Sequence, residues 1–433
     1  MTVVDDQPGS GASERDRFIP VRKTDIVDAL IGHGRLRDGE AESFRRLARL
    51  LGAIYHFEYF DRLETLRNDY FYFNPDLPHD LGVDPAVLAR AHDEMVATLI
   101  GVLQKADFVE VARDDIARAH KEHPVLNVEV AIPAEDYREV RFFRRGHHRA
   151  TVETAKWFGL RKRQVEIDVY DHLVLLVTVK PQSEITSKRL QRHIAKSRLR
   201  PGTILIKHFR DIARSDLNML FPDARVVLSL FDKLSLGLPG FFGGVPILLK
   251  LLPAVSVLFV VIAAWLGISG TVHEDDTKQA LAAVSALAAL GGYLTRQWLK
   301  YQRQSLKYQK EVSDNVYFRN INNNAGALDH LVGSAEEQEC KEAFLAYFFL
   351  ASAQAPVTRD ALERQVEGWL RDKFGAAVEF EVSEALAKLE RLALLRREGE
   401  TLAVLPLDEA LKVLGRRWSN FFPISTELAP SSS

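Results

Sequence analysis

The chain has 433 residues and a formal net charge of -2, and its length allows two or three domains. The near-neutral total hides an asymmetry, because residues 1–137 carry 16 Lys and Arg against 26 Asp and Glu, whereas residues 138–233 carry 21 against 10. Cys340 is the only cysteine, which excludes an intramolecular disulfide and fits a reducing compartment.

The first half of the chain predicts an acidic arm followed by an α+β domain. Residues 1–16 are polar and lack the apolar core of a signal peptide, so we predict a disordered arm. Within the domain, residues 17–235, helical periodicity marks 41–66 and 85–106. From Val125 the period shifts towards two, which predicts an antiparallel sheet of three to five strands with a hairpin turn at Tyr170–His172.

A basic segment follows these strands. No acidic residue lies between Glu184 and Asp211, and Pro201 ends a predicted basic helix. The candidate polyanion-binding residues are Lys188, Arg189, Arg192 and Lys196. A membrane surface is the simplest partner for these cations, since a membrane is already predicted nearby. A helix face that is merely solvated is equally compatible. Nucleic acid is disfavoured because no aromatic platform accompanies the cations.

Two stretches, residues 17–31 and 204–253, carry a resemblance to a known family. The most specific part runs from Phe209 through Asp216 and Pro222 to Gly243-Gly244. These residues resemble domain-of-unknown-function family 3754, the transmembrane protein 143-like uncharacterised membrane proteins. The resemblance covers roughly residues 140–300 and implies a two-span membrane protein, without an activity.

The most apolar region, residues 236–299, predicts a transmembrane helical hairpin. Residues 251–268 carry no charge and, at about 1.5 Å per residue, nearly match the hydrocarbon core. A Gly- and Pro-rich lead-in, interfacial or re-entrant, ends at Lys250, which we expect near lipid headgroups. The second predicted span, 280–299, is alanine-rich, and its helix-packing residues are Ala282, Ser285, Ala289 and Gly292.

Five cations continue the second span on one helical face, within a basic helix and linker at 300–334. They are Arg296, Lys300, Arg303, Lys307 and Lys310, and we predict that they contact anionic lipid. The positive-inside rule then places both large flanking regions in the cytoplasm of a bacterium, around a multi-pass inner-membrane hairpin. The alternatives are a buried hairpin of a soluble protein and a solvated cationic face.

The last predicted module spans residues 335–422 and precedes a short tail, 423–433. Its predicted order is helix, helix, helix, hairpin turning at Glu398–Glu400, helix, which resembles a winged helix. The module carries 12 Lys and Arg against 16 Asp and Glu, which disfavours nucleic acid and favours a protein partner.

No catalytic, metal or cofactor site is predicted, since His147-His148 and Cys340 fit a polar strand surface and a core position. The leading hypothesis is a non-enzymatic, membrane-anchored adaptor or scaffold. The alternatives are an oligomeric pore or lipid-handling assembly, with a possible homo-oligomer, and an enzyme acting on a phosphate-bearing ligand.

Overall fold

The structure is a computed structural model. It describes residues 16–37, 39–77, 82–112, 114–116, 129–131, 137–156, 161–185, 191, 200–222, 225–227, 259, 262–263, 266, 274–399 and 401–421. The chain divides into two compact units. The first comprises Met1–Arg118, Ala134–Arg214 and Arg319–Ser433, and the second comprises Ala119–Pro133 and Ser215–Phe318.

Helices and strands alternate irregularly along the described residues. The helices are α1 Lys23–Ile31, α2 Glu40–Tyr70, α3 Pro85–Lys105, α4 Glu274–Arg319, α5 Asn324–Ala351, α6 Arg359–Phe374, α7 Val382–Arg391 and α8 Leu407–Phe421. The strands are β1 Val109–Glu110, β2 Glu129–Ala131, β3 Tyr137–Lys156, β4 Arg161–Val179, β5 Ile204–Ala213, β6 Arg225–Val227, β7 Asn320–Asn323, β8 Leu395–Glu398 and β9 Thr401–Val404.

The predicted N-terminal helices are confirmed as α2 and α3, and local signals explain their limits. Asp84 caps α3 by accepting a hydrogen bond from the amide of Ala86, and Pro85 occupies the first helical position, where its missing N–H costs nothing. The buried apolar residues of α2 and α3 belong to one hydrophobic core, which also contains apolar residues of α5.

The first unit contains the predicted antiparallel sheet, with strand order β1-β3-β4-β5-β7. On one of its faces, five side chains join the core formed by the helices. These side chains are Phe143, Val174, Leu176, Ile204 and Ile206.

The predicted hairpin turn at Tyr170–His172 is wrong, because β4 continues through these residues and pairs with β3 along its whole length. Asp171 instead lies against Gly146, which has a φ of +68°. The aspartate that suggested a turn therefore fills a space left by a glycine of the neighbouring strand.

Helix α5 is the centre of the first unit, packing against α2, α3 and α7. Every residue from Gln338 to Leu350 is buried, so no polar face remains to produce helical periodicity. Three of these buried residues are charged, Glu339, Lys341 and Glu342, and each needs a compensating partner.

The predicted order of the C-terminal module is confirmed as α5, α6, α7, the β8–β9 hairpin and α8. Gly399, with a φ of +67°, allows the tight turn between β8 and β9. The resemblance to a winged helix stays a prediction. The module shares its core with α2 and α3.

In the second unit, the described residues form the short antiparallel pair β2–β6 and the 46-residue helix α4. No helix within the described parts of the chain is long and apolar enough to cross a membrane. This finding contradicts the predicted transmembrane hairpin and the predicted multi-pass inner-membrane location.

The second predicted span lies in α4. Its alanine-rich stretch is interrupted by the charged residue Arg296 and is shorter than the roughly 20 apolar residues that a span needs. Most of the first predicted span, 251–268, lies outside the described residues.

Candidate functional site

The five cations predicted from the sequence lie on α4 and are all exposed. We call Arg296, Lys300, Arg303, Lys307 and Lys310 the cationic stripe. No carboxylate among the described residues lies within ion-pair distance of them, which leaves their charge available to a ligand. Leu299 and Leu306 are exposed on the same segment, 48% and 59% respectively, so the stripe combines positive charge with apolar surface.

The other predicted site residues divide between exposed and undescribed positions. Ala282, Ser285, Ala289 and Gly292 are exposed on α4, and the Ser285 hydroxyl donates to the Leu281 carbonyl at 2.9 Å. The remaining predicted site residues lie outside the described residues. These are Lys250, Lys188, Arg189, Arg192 and Lys196.

A second set of charged residues lies inside the first unit, where α5 meets α7 and the end of α3. We call Lys105, Glu339, Glu342, Glu384 and Lys388 the carboxylate–lysine cluster. The ammonium of Lys388 lies 2.9 Å from Glu339 and 3.8 Å from Glu384, and it donates a short hydrogen bond to Glu342. Lys105 contacts Glu384 at 3.0 Å and Glu339 at 3.5 Å from the other side.

Three carboxylates of this cluster have the spacing of metal ligands, because one oxygen from each lies within 4.8 Å of the others. The residues are Glu339, Glu342 and Glu384. The Lys388 ammonium already supplies the cation that these carboxylates require, and its pKa is raised by them despite its burial. The cluster is therefore an internal ion-pair network, in which a metal ion and the ammonium compete for the same oxygens.

Cations of α7 and of the β8–β9 hairpin also form ion pairs with carboxylates of the same chain. Arg391 lies 2.6 Å from Glu58 of α2, and on the hairpin Arg396 and Arg397 pair with Glu409 and Glu390 at 3.0 and 2.8 Å. In a DNA-binding winged helix the corresponding cations face phosphates.

A third set of ionisable residues lies where the sheet meets the start of α5. We call Arg145, His172, His208 and His330 the histidine–arginine cluster. His172 lies opposite Arg145 in the β3–β4 pairing, and its Nδ1 is 3.2 Å from Nε2 of His208 on β5. The rings of His208 and His330 have centroids 5.1 Å apart. His208 is completely buried, whereas His330 is exposed and His172 is intermediate, so the cluster leads from solvent into the core.

Burial keeps these imidazoles neutral. Desolvation lowers the pKa of His172 to about 4 and that of His208 to about 2, and the positive charge of Arg145 contributes in the same direction. The pKa of His330 is lowered by the same two causes. Nitrogen atoms of the three rings do not converge within 4.8 Å, unlike the three carboxylates above, so the cluster lacks the geometry of a three-histidine metal site.

Arg145 is the unusual member of the cluster, because it is a buried guanidinium without a carboxylate in ion-pair distance among the described residues. Its Cζ atom lies 3.8 Å from the ring centroid of Phe18 and 4.6 Å from that of Phe108. One Nη donates to the Ala106 carbonyl at 3.3 Å, while the buried Nε has no hydrogen-bond partner. Cation–π contacts stabilise the charge only in part.

The described residues offer little for nucleophilic catalysis. Cys340 is buried, and desolvation raises the pKa of its thiol to about 12, which removes the thiolate at neutral pH. On the sheet surface, His148 and Asp171 form a 2.5 Å pair, which is two parts of a triad. No described serine, threonine or cysteine hydrogen-bonds to His148.

Both interior clusters were missed at the level of the sequence. Their members are separated by up to about two thirds of the chain, and no motif links isolated histidines at 172, 208 and 330. One signal in the sequence could have located the carboxylate–lysine cluster. Charged residues interrupt an otherwise apolar helix at Glu339, Lys341 and Glu342.

Residues 170–326 match the family described as Protein of unknown function (DUF3754). Over these residues, about a third of the chain, the sequence is similar to the DUF3754 domain. The matched region begins within β4, includes β5 and α4, and ends in the first turn of α5, so it contains His172, His208 and the cationic stripe. No solved structure shows a significant match to the chain. The membrane character implied by the resemblance is not confirmed, and the family description names no activity.

Proposed function

We propose that the protein is a non-enzymatic adaptor that binds an acidic protein partner through the cationic stripe of α4. The observation that carries this proposal is the exposure of all five cations without a paired carboxylate among the described residues. From Arg296 to Lys310 the helix rises about 21 Å, so a partner meets about one positive charge at every helical turn.

The two leucines of this segment favour a protein partner over nucleic acid. Leu299 and Leu306 are separated by two helical turns and are exposed beside the cations. A partner helix with carboxylates and apolar residues at the same spacing covers both features, whereas a phosphate backbone leaves the leucines in water. Exposed apolar residues grouped with charge are typical of docking surfaces.

A binding assay with a defined probe tests the proposal. The probe is a fluorescent two-heptad helical peptide with glutamates facing the stripe and leucines two turns apart, and the readout is anisotropy against the full chain. We expect saturable binding that weakens about tenfold when Arg296, Arg303 and Lys310 are all changed to Glu, since each reversal replaces attraction by repulsion. The matched control changes Arg364, Arg371 and Lys373 of α6 to Glu, with the same change in charge and unchanged binding expected.

Two results contradict the proposal. Equal loss in both triple variants indicates nonspecific attraction to a basic protein. Tighter binding of single-stranded DNA, or of phosphatidylserine vesicles, than of the acidic peptide changes the class of partner. The same proteins assayed by circular dichroism establish that the substitutions leave the helical content intact.

A further inference from the structure

We propose that the histidine–arginine cluster is a binding site for a small oxyanion, such as phosphate or the terminal phosphate of a metabolite. The site is separate from the cationic stripe, because it lies within the first unit, and it is independent of the adaptor proposal. Arg145 and His208 form its inner end, and His172, Arg210 and His330 surround its entrance.

The first argument is the charge of Arg145. A buried guanidinium is strongly destabilising unless an anion compensates it, and no described carboxylate lies within ion-pair distance of Arg145. The carboxylates that act on it from farther away are Asp16, Asp107, Asp171 and Glu337. Burial raises the pKa of Asp107 to about 8 and also raises that of Asp16, so these two groups compensate the guanidinium incompletely at neutral pH.

The second argument is a pair of unsatisfied nitrogen atoms in the same cluster. Nε of Arg145 and Nδ1 of His208 are both buried and both lack a hydrogen-bond partner. When Nδ1 of His172 donates to Nε2 of His208, the proton of His208 lies on Nδ1, and the cluster then has two free donors. An oxyanion that reaches both nitrogen atoms accepts from both, whereas buried donors without acceptors destabilise the folded state.

The third argument is access and the sign of the surrounding charge. His330 is exposed, and Arg210, which pairs with His172 across β4 and β5, is exposed as well. Arg145 and Arg210 both act electrostatically on His172. An entrance lined by one guanidinium group and two imidazoles, with the guanidinium of Arg145 at the inner end, attracts anions and repels metal cations. This agrees with the absence of three converging ring nitrogens in the cluster.

Calorimetric titration of the full chain with sodium sulfate and sodium phosphate tests this proposal, at an ionic strength held constant with sodium gluconate. Sulfate keeps its charge over the useful pH range, so it isolates the titration of the protein. We expect saturable binding of one ion per chain, about tenfold weaker in the double variant Arg210→Gln/His330→Ala. Both residues are exposed, so this variant is expected to fold.

The matched control is Arg359→Gln/His56→Ala, which removes an exposed cation and an exposed imidazole elsewhere in the first unit. Its affinity for sulfate should equal that of the wild type. We also expect sulfate to bind more tightly as the pH falls from 7 to 5, since the bound anion favours protonation of entrance imidazoles that are neutral in the free protein. No saturable binding in the wild type, or equal loss in both double variants, overturns the proposal.

Discussion

The ammonium of Lys388 lies 2.9 Å from a carboxylate oxygen of Glu339, and both side chains are less than a tenth exposed. Lys388 belongs to α7, in the C-terminal module, whereas Glu339 belongs to α5 and is also approached by Lys105 of α3. This contact ties three parts of the first unit together through buried charge. Removing one partner leaves the others uncompensated.

Lys388→Met is therefore expected to lower the free energy of unfolding by about 3–5 kcal/mol, because Glu339 and Glu342 then remain buried without their ammonium. Urea denaturation followed by circular dichroism measures this change. Lys412→Met on the exposed surface of α8 is the control. A cost below about 1 kcal/mol for Lys388→Met, comparable with that of a surface substitution, argues against a network that stabilises the fold.

Asp107 offers a substitution that stabilises the protein. It combines a buried carboxyl, whose pKa is raised to about 8, with a φ of +59°. A raised folded-state pKa gives stability that is present at low pH and is lost as the pH rises through 8. Asp107→Asn removes that loss, and asparagine tolerates the left-handed conformation, so we expect about 1 kcal/mol or more of stabilisation at pH 9.

Asp211→Asn is the control for the effect of the backbone conformation on stability, because Asp211 also has a positive φ of +53° but is exposed. The difference between the two variants should grow from pH 6 to pH 9 in urea titrations. A pH-independent difference indicates that the burial of the Asp107 carboxyl contributes nothing.

The histidine–arginine cluster predicts loss of stability in acid. The folded-state pKa values of His172 and His208, about 4 and about 2, lie below the ordinary value of 6.5, so the unfolded chain binds more protons below that pH. Stability is present above pH 6.5 and falls as the pH is lowered towards 4. Arg145 faces the rings and opposes their protonation, whereas Asp171 favours that of His172.

Unfolding free energies measured at pH 7, 6 and 5 test this expectation. The variant His172→Gln/His330→Gln should show a smaller decrease with falling pH than the wild type, since two of the groups that take up protons on unfolding are gone. His56→Gln, which removes an exposed histidine of α2, is the matched control for the loss of a histidine side chain. A slope that is the same in all three proteins assigns the acid sensitivity to the carboxylates.

Gly146 should not accept a side chain. Its φ is +68°, and a Cβ atom at this position meets the carboxylate of Asp171. We expect Gly146→Ala to cost about 2 kcal/mol or more, partly through the backbone and partly through the displaced Asp171–His148 pair. Gly202→Ala, with a φ of +76° and ordinary space around the new Cβ, measures the backbone cost alone.

A double-mutant cycle separates the two contributions at Gly146. Asp171→Ala should recover part of the stability lost in Gly146→Ala, which gives a coupling energy of about 0.5 kcal/mol or more. Strict additivity shows that Asp171 moves away freely and that only the backbone opposes the substitution.

Local signals in the sequence predicted much of the first unit. Helical periodicity located α2, α3, α6 and α7, and a glycine between two acidic residues located the β8–β9 turn. The prediction of a turn at Tyr170–His172 was wrong because an aspartate in the sequence is compatible with two different structures. It can favour a turn, or it can fill the space beside a glycine of the next strand, and only strand pairing distinguishes them.

By itself, the sequence determined the α+β composition, the order of the C-terminal elements and the cationic stripe of α4, because each depends on residues close together in the chain. The tertiary structure decided the rest. Helix α5 has no polar face because neighbours cover every side of its second half, and Lys388 reaches Glu339 only after α7 packs there. Likewise, Arg145 meets three histidines from distant segments, because strand register and helix packing set distances that local sequence cannot encode.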